Sequence, residues 1–359
     1  MSVRTHRTAI VGTGGIANAH ASAVRAAGDR ARLVGVVDID QDRARAFADQ
    51  WGVPGVYPSV AKLLADEDVD LVHLCTPPRH HAPIALECLD AGVTVLVEKP
   101  PALSLAEMDG LVAAERRSTA HVATVFQHRF GPAAVRLRGL TATGELGRSL
   151  LATCATLWYR DDSYFAVPWR GSWDTEGGGP TMGHGIHQFD LLLSVLGPWR
   201  EVRALAARQA RDVKTEDVSM ALVTFDNGAV ATVVNSVVSP RETSALRFDY
   251  ERATVEVEHL YGYTDADWTV TPAPGQVQSW WPTGEPGAAT SHDGQVVAVL
   301  DALDRGEAPP VTCADARITM EFVAALYASA FTGEPVHSGQ IADDSPFYRR
   351  MDGSGAPWA

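Results

Sequence analysis

The sequence predicts a two-part α/β protein, in which a doubly wound parallel sheet is followed by an antiparallel or mixed sheet with helices on one side. Three observations lead to this fold class. Apolar strands and helices alternate regularly up to about residue 127, which is typical of a parallel sheet. A glycine-rich turn follows the first strand, and after residue 130 the pattern changes to strands that include the hairpin signal Asp226-Asn227-Gly228.

The first strand and helix flank the segment Gly12-Thr13-Gly14-Gly15-Ile16-Ala17, which has the form G-x-G-x-x-A. Gly12 permits a tight turn, Gly14 lets the backbone approach a pyrophosphate, and Ala17 lets the helix pack closely on the strand. The helix predicted over residues 18–27 then offers its N-terminus to the anion. Because strand, turn and helix occur in this order, the segment predicts a dinucleotide site and not an unrelated glycine turn.

The second strand, over residues 32–37, ends at Asp38. This acid lies about 20 residues after the glycine segment, the spacing of a carboxylate that binds the ribose of a dinucleotide. A carboxylate accepts hydrogen bonds from a 2′-hydroxyl and repels a 2′-phosphate, so NAD is favoured. Arg43 and Arg45 follow closely and are able to pair with a phosphate, which leaves NADP open.

Polar residues follow three further buried strands, predicted over residues 69–75, 93–97 and 122–126. The carboxyl ends of parallel strands are where such sheets bind ligands. The triplet Glu98-Lys99-Pro100 is the most informative of these segments, because a lysine there can carry a proton or hold a hydroxyl. The other two segments are Thr76-Pro77-Pro78, followed by Arg79-His80-His81, and Gln127-His128-Arg129-Phe130.

A second cluster of chemical side chains precedes an apolar helix. His184, His187 and Asp190 are spaced by three, which predicts that they share one side of a helix. A neutral histidine can take a proton from an alcohol near pH 7, and a carboxylate can orient it. The alternatives are a structural histidine pair with a capping acid, or a zinc site. No metal is required here, because a nicotinamide supplies its own electrophile.

Composition indicates an enzyme for small molecules. The chain has 359 residues, which favours two domains, and the 46% apolar content can fill sizeable cores. A net charge of −14 argues against nucleic acid or an anionic membrane as partner. No run of about 18 apolar residues is present, and the chain enters its first strand without space for a signal peptide. Four scattered cysteines show no metal or disulfide spacing, and we therefore expect a cytoplasmic protein.

The chain resembles the glucose–fructose oxidoreductase/inositol dehydrogenase (Gfo/Idh/MocA) family along nearly its whole length. The resemblance rests on the glycine segment, on Asp38, on Glu98-Lys99-Pro100 and on the following further motifs: Thr76-Pro77-Pro78 with His81, Trp169-Arg170, the glycines 177–179, and Gly185-Ile186-His187 with Asp190. It implies a Rossmann domain over residues 1–127 and a substrate-binding and oligomerisation α+β domain over residues 128–359. The second domain is expected to contain a large, mostly antiparallel open sheet, which often forms the interface of a dimer or tetramer.

The resemblance also implies roles for individual residues. Lys99 matches the lysine that contacts substrate and assists proton transfer, and His187 matches the acid/base histidine. The positions expected to contact the cofactor are Gly12, Gly14, Gly15, Ile16, Asp38, Thr76, Pro77, His81, Glu98, Lys99, Gln127, Trp169 and Arg170. The positions expected to bind substrate are Lys99, Arg129, His184, His187 and Asp190.

One position departs from the family pattern. Many members carry an aspartate four residues before the catalytic histidine, and this chain has Gly183 there. His184 or Asp190 are the candidates to replace that acid. The departure weakens an interpretation as an inositol or simple polyol enzyme, without affecting the redox interpretation.

The predicted function is hydride transfer between NAD(P) and a sugar, polyol or glycoside-like alcohol or ketone. Two alternatives use the same fold. One is an enzyme that cleaves glycosides with transient use of bound NAD, and the other is a nucleotide-binding regulator without turnover. The presence of both Lys99 and His187 argues against the regulator. The sequence does not identify the sugar or the direction of the reaction.

Overall fold

A computed structural model of the protein describes residues 4–277, 281 and 291–358. These residues form two compact units. The first contains residues 4–102, 106–125 and 291–317, and the second contains the remainder. The predicted domain boundary after residue 127 stays a prediction. Among the described residues, no helix is both long and apolar enough to cross a membrane.

The first unit is built on a parallel sheet of six strands in the described chain, in the order β3-β2-β1-β4-β5-β6. All of its neighbouring strands are parallel, which confirms the predicted Rossmann sheet. Strand β5, which lies between β4 and β6, is completely buried, as expected for a strand covered on both faces. The strands are β1 (His6–Val11), β2 (Ala31–Val37), β3 (Gly55–Tyr57), β4 (Leu71–Leu74), β5 (Thr94–Val97) and β6 (Val122–Thr124).

Helices follow these strands in alternation. They are α1 (Ala17–Ala26), α2 (Gln41–Trp51), α3 (Val60–Asp66), α4 (His81–Asp90) and α5 (Leu105–Glu115). Local sequence fixes their ends: the Asp40 side chain accepts a hydrogen bond from the Arg43 amide and begins α2, and Gly52, with φ of 70°, ends it.

The second unit is built on a larger sheet. In the described chain it has eight strands in the order β13-β12-β11-β7-β10-β9-β8-β14. Only β7 and β10 pair in parallel, so the predicted, mostly antiparallel sheet is confirmed. The elements up to β13 are α6 (Pro132–Thr143), β7 (Ser149–Tyr159), α7 (Asp162–Phe165), α8 (Trp173–Glu176), α9 (Ile186–Leu196), β8 (Trp199–Ala207), β9 (Val218–Phe225), β10 (Val230–Ser236), β11 (Val238–Tyr250), β12 (Ala253–His259) and β13 (Trp268–Pro272).

The predicted hairpin joins β9 and β10, which pair as antiparallel neighbours. Its turn uses Gly228 at φ of 87°, and the Asn227 side chain accepts a hydrogen bond from the Ala229 amide. The chain was not predicted to form β3, β8, β13 or β14. Of these, β3 has three residues and β14 has two, which is too short for a periodic pattern.

The last elements are α10 (His292–Arg305), α11 (Cys313–Thr332), β14 (Val336–His337) and α12 (Pro346–Arg349). Helix α10 belongs to the first unit, although it follows the second unit's strands in sequence. Its buried residues Val296, Val299 and Leu300 share one apolar cluster with Ala23 and Val24 of α1. This packing fixes the start of α10 inside the first unit.

Candidate cofactor and substrate sites

The turn between β1 and α1 has the geometry that the glycine segment predicts. Gly12 adopts φ of 90°, and a Cβ there would lie 2.8 Å from the carbonyl carbon of Cys75. A side chain is therefore excluded by both conformation and space. A Cβ on Gly14 or Gly15 would meet nothing within 4 Å, so these residues keep the approach to α1 open. Helix α1 begins after Ile16, whose side chain has no hydrogen-bonding group, and the positive end of the helix dipole at this turn suits an anion such as pyrophosphate.

Asp38 lies at the end of β2 and is held as an ionised acceptor. The Thr13 amide and hydroxyl each donate to its Oδ2 at 2.8 Å, and Arg43 donates from Nη2 to Oδ1 at 2.6 Å. Burial opposes ionisation of Asp38, but the hydrogen bonds from Arg43 and Thr13 outweigh it and lower the pKa. Arg45 pairs instead with Asp42 at 2.7 Å. Arg43 and Arg45, the two residues able to pair with the 2′-phosphate of NADP, are thus both paired with carboxylates.

The turns after β4 and β5 are tied together by His81. Its Nδ1 lies 2.7 Å from the Pro100 carbonyl oxygen, and its Nε2 lies 2.7 Å from that of Thr76. Burial lowers the pKa of His81, while the two carbonyls favour the protonated ring. The turn that follows Thr76 continues through Pro77, which precedes a short 3₁₀ helix.

Lys99 is half-buried, whereas Glu98 is directed into the interior. The Glu98 side chain was predicted to line the cofactor. Instead, its two oxygens accept hydrogen bonds from His20, His292 and the Lys99 amide, and the residue is 6% exposed. His20 on α1 and His292 on α10 had no predicted role, because neither lies near Glu98-Lys99-Pro100 in the sequence.

The histidine cluster of the second unit lies at the junction of two helical segments. His184 belongs to a π-helical segment, Thr181–Gly185, and His187 to the first turn of α9. All three predicted residues therefore lie on helical backbone, and the segment that holds His184 has π geometry. Gly185 in this segment is closely packed, because a Cβ there would lie 2.3 Å from Oδ1 of Asn235.

Asp190 is fully buried and holds Arg129. The guanidinium donates from Nε and Nη2 to both carboxylate oxygens at 2.5 Å, and the Thr319 hydroxyl donates to Oδ1 at 3.1 Å. Burial raises the pKa of Asp190, and Arg129 opposes that rise. Asp190 was predicted to bind substrate. Its two oxygens are engaged by Arg129 and Thr319, so in this structure it fixes Arg129 and does not orient His187.

His187 is surrounded by rings from distant segments. The His128 ring centroid lies 5.2 Å from that of His187, and the Tyr261 centroid lies 6.4 Å from it. His128 Nε2 lies 3.0 Å from the Tyr261 carbonyl oxygen. Gln188 Nε2 lies 3.1 Å from Nε2 of His259, whose pKa burial lowers to about 4. Sequence reasoning gave no role to His128, His259 or Tyr261, because nothing local marks them as neighbours of His187 or Gln188.

His184 lies against a second group of aromatic side chains. The Trp158 ring centroid is 4.9 Å from the His184 ring, and the Tyr164 hydroxyl is 3.3 Å from Nε2 of His184. Burial raises the pKa of Tyr164 to about 12, so this hydroxyl stays protonated at neutral pH. Arg170 lies over the rings of Tyr164 and Trp169, at 3.8 and 4.3 Å from their centroids.

A carboxylate lies beside Gly183, where the family pattern has an aspartate. A Cβ on Gly183 would meet Oε1 of Glu176 at 3.6 Å. Glu176 is buried, and its Oε2 accepts a hydrogen bond from the Gly171 amide at 2.8 Å. Its Oε1 pairs with Arg170 at 3.2 Å. The sequence suggested His184 or Asp190 as replacements for the missing acid, whereas the structure brings Glu176 to that place.

The remaining predicted site residue, Gln127, is buried at the start of a 3₁₀ helix, Gln127–Phe130. Its Oε1 has no hydrogen-bond partner among the described residues. An unpaired buried amide oxygen is unusual and fits a group that meets a ligand.

Comparison with known proteins covers both units. Residues 6–126 match a family model described as an oxidoreductase family with an NAD-binding Rossmann fold. Residues 134–258 match the model of the GFO/IDH/MocA C-terminal domain.

Individual relatives agree with these matches. D-glucoside 3-dehydrogenase of Escherichia coli K12 is 27% identical, over 92% of this chain and 97% of that protein. Inositol 2-dehydrogenase 4 of Saccharopolyspora erythraea is 33% identical, over 65% of this chain and 67% of that protein. The WlbA dehydrogenase of Bordetella pertussis, solved with NADH and UDP-GlcNAcA, has a TM-score of 0.85 at 24% identity. That alignment covers 94% of this chain and 98% of WlbA, and it shows a shared fold.

Proposed function

The chain belongs to the Gfo/Idh/MocA family of oxidoreductases, and from that premise we propose which of its residues carry the reaction. The protein is an NAD-dependent enzyme that acts on CH–OH groups of sugars, polyols or related alcohols. The observation that carries this conclusion is the match of family models to both halves of the chain. Relatives include dehydrogenases named for a D-glucoside, for myo-inositol and for D-apiose.

The first unit supplies most of the proposed cofactor contacts. The turn at Gly12, the open backbone at Gly14 and Gly15, and the start of α1 after Ile16 would hold the pyrophosphate. Asp38, ionised at neutral pH, would accept hydrogen bonds from a ribose hydroxyl, which supports NAD over NADP. Further contacts are proposed for Thr76, Pro77, His81, Lys99, Gln127, Trp169 and Arg170, whereas Glu98 faces the interior. When bound, NAD supplies the site that accepts or gives the hydride.

We propose that His187 moves the hydroxyl proton. In the oxidative direction, its neutral imidazole takes the proton from the carbinol oxygen, and in reduction the imidazolium returns it. Lys99 donates a hydrogen bond to the same oxygen and stabilises the negative charge that develops there. Arg129, whose guanidinium is fixed by Asp190, and His184 would hold other substrate oxygens.

The surroundings of the two histidines support a carbohydrate-like substrate. Trp158, Tyr164 and Tyr261 present ring faces and edges close to His184 and His187. The CH-rich face of a sugar ring packs well on such rings, while imidazole and guanidinium groups bind its hydroxyls. The charges of Arg160 and Arg170 are balanced by Glu242 and Glu176, so a neutral sugar or glycoside is favoured.

We also propose a homo-oligomer that works in the cytoplasm. The large sheet has large apolar side chains exposed on β7, β8, β9 and β10: Leu151, Leu205, Met220, Leu222 and Val230. An apolar surface of this kind on a sheet is typical of a protein interface. All four cysteines are free and buried, which supports a reducing compartment.

The test is a screen of the purified protein with NAD and NADP against sugars, polyols and glycosides, followed at 340 nm. We expect net NADH formation with at least one sugar or glycoside, and a smaller rate with NADP. Cleavage of a glycoside without net NADH would instead favour the glycoside-cleaving alternative. Absence of both reactions, with NAD still bound, would favour a regulator.

A further inference from the structure

Two histidines bond to the buried carboxylate of Glu98 in the first unit, and a third bonds to one of them. Nε2 of His20 lies 3.0 Å from Oε1 of Glu98, and Nε2 of His292 lies 2.9 Å from the same oxygen. Nδ1 of His73 lies 3.0 Å from Nδ1 of His20. All four side chains are buried, so each of these contacts forms away from water, where an unpaired polar group is costly.

The protonation states of this cluster follow from its hydrogen bonds. Burial opposes ionisation of Glu98, but the hydrogen bonds from His20 and His292 outweigh it and hold its pKa well below the usual range. Burial lowers the pKa of His20 and lowers that of His73 further. A neutral His20 that donates from Nε2 accepts at Nδ1, so His73 donates to it. The histidines therefore form a directed chain of donors that ends on the carboxylate.

The other oxygen of Glu98 is bonded to the segment that carries Lys99. The Lys99 amide donates to Oε2 of Glu98 at 3.2 Å. On the far side of the turn, the Pro100 carbonyl lies 2.7 Å from Nδ1 of His81. The main chain around Lys99 is thus held between the buried side chains of Glu98 and His81. Glu98 can hold it only if the Glu98 carboxylate is itself fixed in place.

His292 reaches this cluster from a remote part of the sequence. It is the first residue of α10, and the Ser291 side chain caps that helix by accepting a hydrogen bond from the Asp293 amide. Leu300, which is fully buried, anchors the same helix in the core. Because the helix is anchored, the imidazole is presented to Glu98 in a fixed direction.

We propose that His20 and His292 are positioning residues that hold Glu98, so that Glu98 fixes the main chain of Lys99. The inference rests on the proposed role of Lys99 in catalysis. Helix α10 would therefore affect the reaction through Glu98 and Lys99, although no residue of α10 needs to touch substrate or cofactor.

The test compares variants of His292 in the full-length protein. His292→Leu removes the donor, and His292→Gln keeps an N–H close to the position of Nε2. His6→Leu is the matched control, because Nε2 of buried His6 also bonds to a carboxylate, that of Asp304, at 2.7 Å. Glu98→Gln, which keeps the shape of the side chain, provides a second test if His292→Leu does not fold.

Two readouts are needed. The first is kcat with the sugar found in the screen, and misplacement of a reacting group by about 1 Å costs on the order of 100-fold. We expect His292→Leu and Glu98→Gln to lower kcat by about tenfold or more, with KM and NAD affinity changed by about twofold at most. The second is hydrogen exchange of the peptide that covers residues 94–103, which should quicken in both variants. His292→Gln should recover most of both properties, and His6→Leu should change neither.

The outcomes separate this proposal from the proposed function. Unchanged exchange at residues 94–103 in His292→Leu would overturn the positioning role, whether or not a sugar substrate is known. Unchanged kcat in a folded variant would do the same. His20, Glu98 and His292 each have one atom that could bind a metal ion, and these three atoms lie within 4.8 Å of one another. That spacing suits a Zn²⁺ ion. Stoichiometric zinc in the purified protein, lost in His292→Leu, would make the histidines metal ligands and would also contradict the proposal.

Discussion

The glycine turn of the first unit and the histidine cluster of the second are built in different ways. The turn is formed mainly by main-chain atoms, and its residues lie within one short segment, Gly12 to Asp38. The cluster uses side chains that come from distant positions: His128 and Tyr261 are 133 residues apart, and Arg129 and Asp190 are 61 apart. The turn therefore depends on conformation and space, whereas the cluster depends on several hydrogen bonds and ring contacts made by the tertiary fold.

This difference sets what each region tolerates. A substitution in the turn acts through backbone strain, so its effect is on folding and cofactor binding together. A substitution in the cluster removes one chemical group, so its effect is on the reaction.

The largest effect is expected for the proposed base. His187→Ala should lower the rate of hydride transfer by roughly 100- to 10,000-fold, since general base catalysis contributes about that much. His184→Ala should cost less, because His184 lies beside Trp158 and Tyr164 and is proposed only to bind substrate. The measurement is kcat for both variants, with the thermal midpoint as a control for folding. A greater loss in His184→Ala would exchange the two roles.

The next effect concerns the glycine turn. Gly12→Ala places a Cβ 2.8 Å from the Cys75 backbone at φ of 90°, so it should destabilise the protein by about 3 kcal/mol or more. Gly15→Ala is the matched control, since its Cβ meets nothing within 4 Å and should leave the stability of the free protein unchanged. Urea unfolding of both variants measures this. Equal stability of the two would show that the turn is not built on the conformation of Gly12.

Glu216 gives a prediction for stability against pH. This buried carboxylate accepts hydrogen bonds from the amides of Gly179 and Thr181 and from the Tyr327 hydroxyl. Burial raises its pKa to about 7 from the ordinary 4.5. Between these values the folded state binds more protons than the unfolded state, so the contribution to stability is complete below pH 4.5 and is lost as pH rises through 7.

The expected loss is on the order of 2–3 kcal/mol between pH 4.5 and 8, from the size of the shift. Glu216→Gln cannot ionise, so its stability relative to the unmutated protein should improve as pH rises. Denaturant unfolding of both proteins at several pH values provides the comparison. Parallel pH profiles would mean that Glu216 has an ordinary pKa.

The smallest effect concerns the acid missing at Gly183. Gly183 does not require a positive φ, and an aspartate there would lie close to Glu176. We expect Gly183→Asp to lower kcat/KM by roughly fivefold, about 1 kcal/mol, because two carboxylates compete for Arg170. Adding Glu176→Gln should restore most of that loss. Additive effects in this double-mutant cycle would show that Glu176 does not stand in for the missing acid.

The parts of this molecule that could be predicted from sequence are those encoded locally. The parallel sheet, the turn at Gly12 and the hairpin at Gly228 were predicted, because strand periodicity and glycine conformation are properties of short segments. The partners of His187 and of Glu98 were not. His128 lies in a 3₁₀ helix and His292 begins α10, and only the tertiary fold brings them to His187 and Glu98.

The π-helical segment before α9 is a second instructive case. The spacing of three predicted that His184 lies on a helix, but nothing in the local pattern indicated that this part of the helix has π geometry. Similarly, the carboxylate that lies beside Gly183 belongs to Glu176, whose position depends on its contacts with Gly171 and Arg170. Which side chains meet in a site is therefore harder to predict from the sequence than the fold that positions them.

The most direct test of hydride transfer with His187 as the base follows the hydrogen that leaves the carbinol carbon of the sugar. A substrate from the screen, deuterated at the carbinol carbon, is mixed with the enzyme and NAD, and the reduced cofactor is analysed by mass spectrometry. We predict one deuterium in each reduced cofactor, and a loss of this product in His187→Ala. Deuterium released to water, or reduced cofactor that forms equally fast without His187, would contradict it.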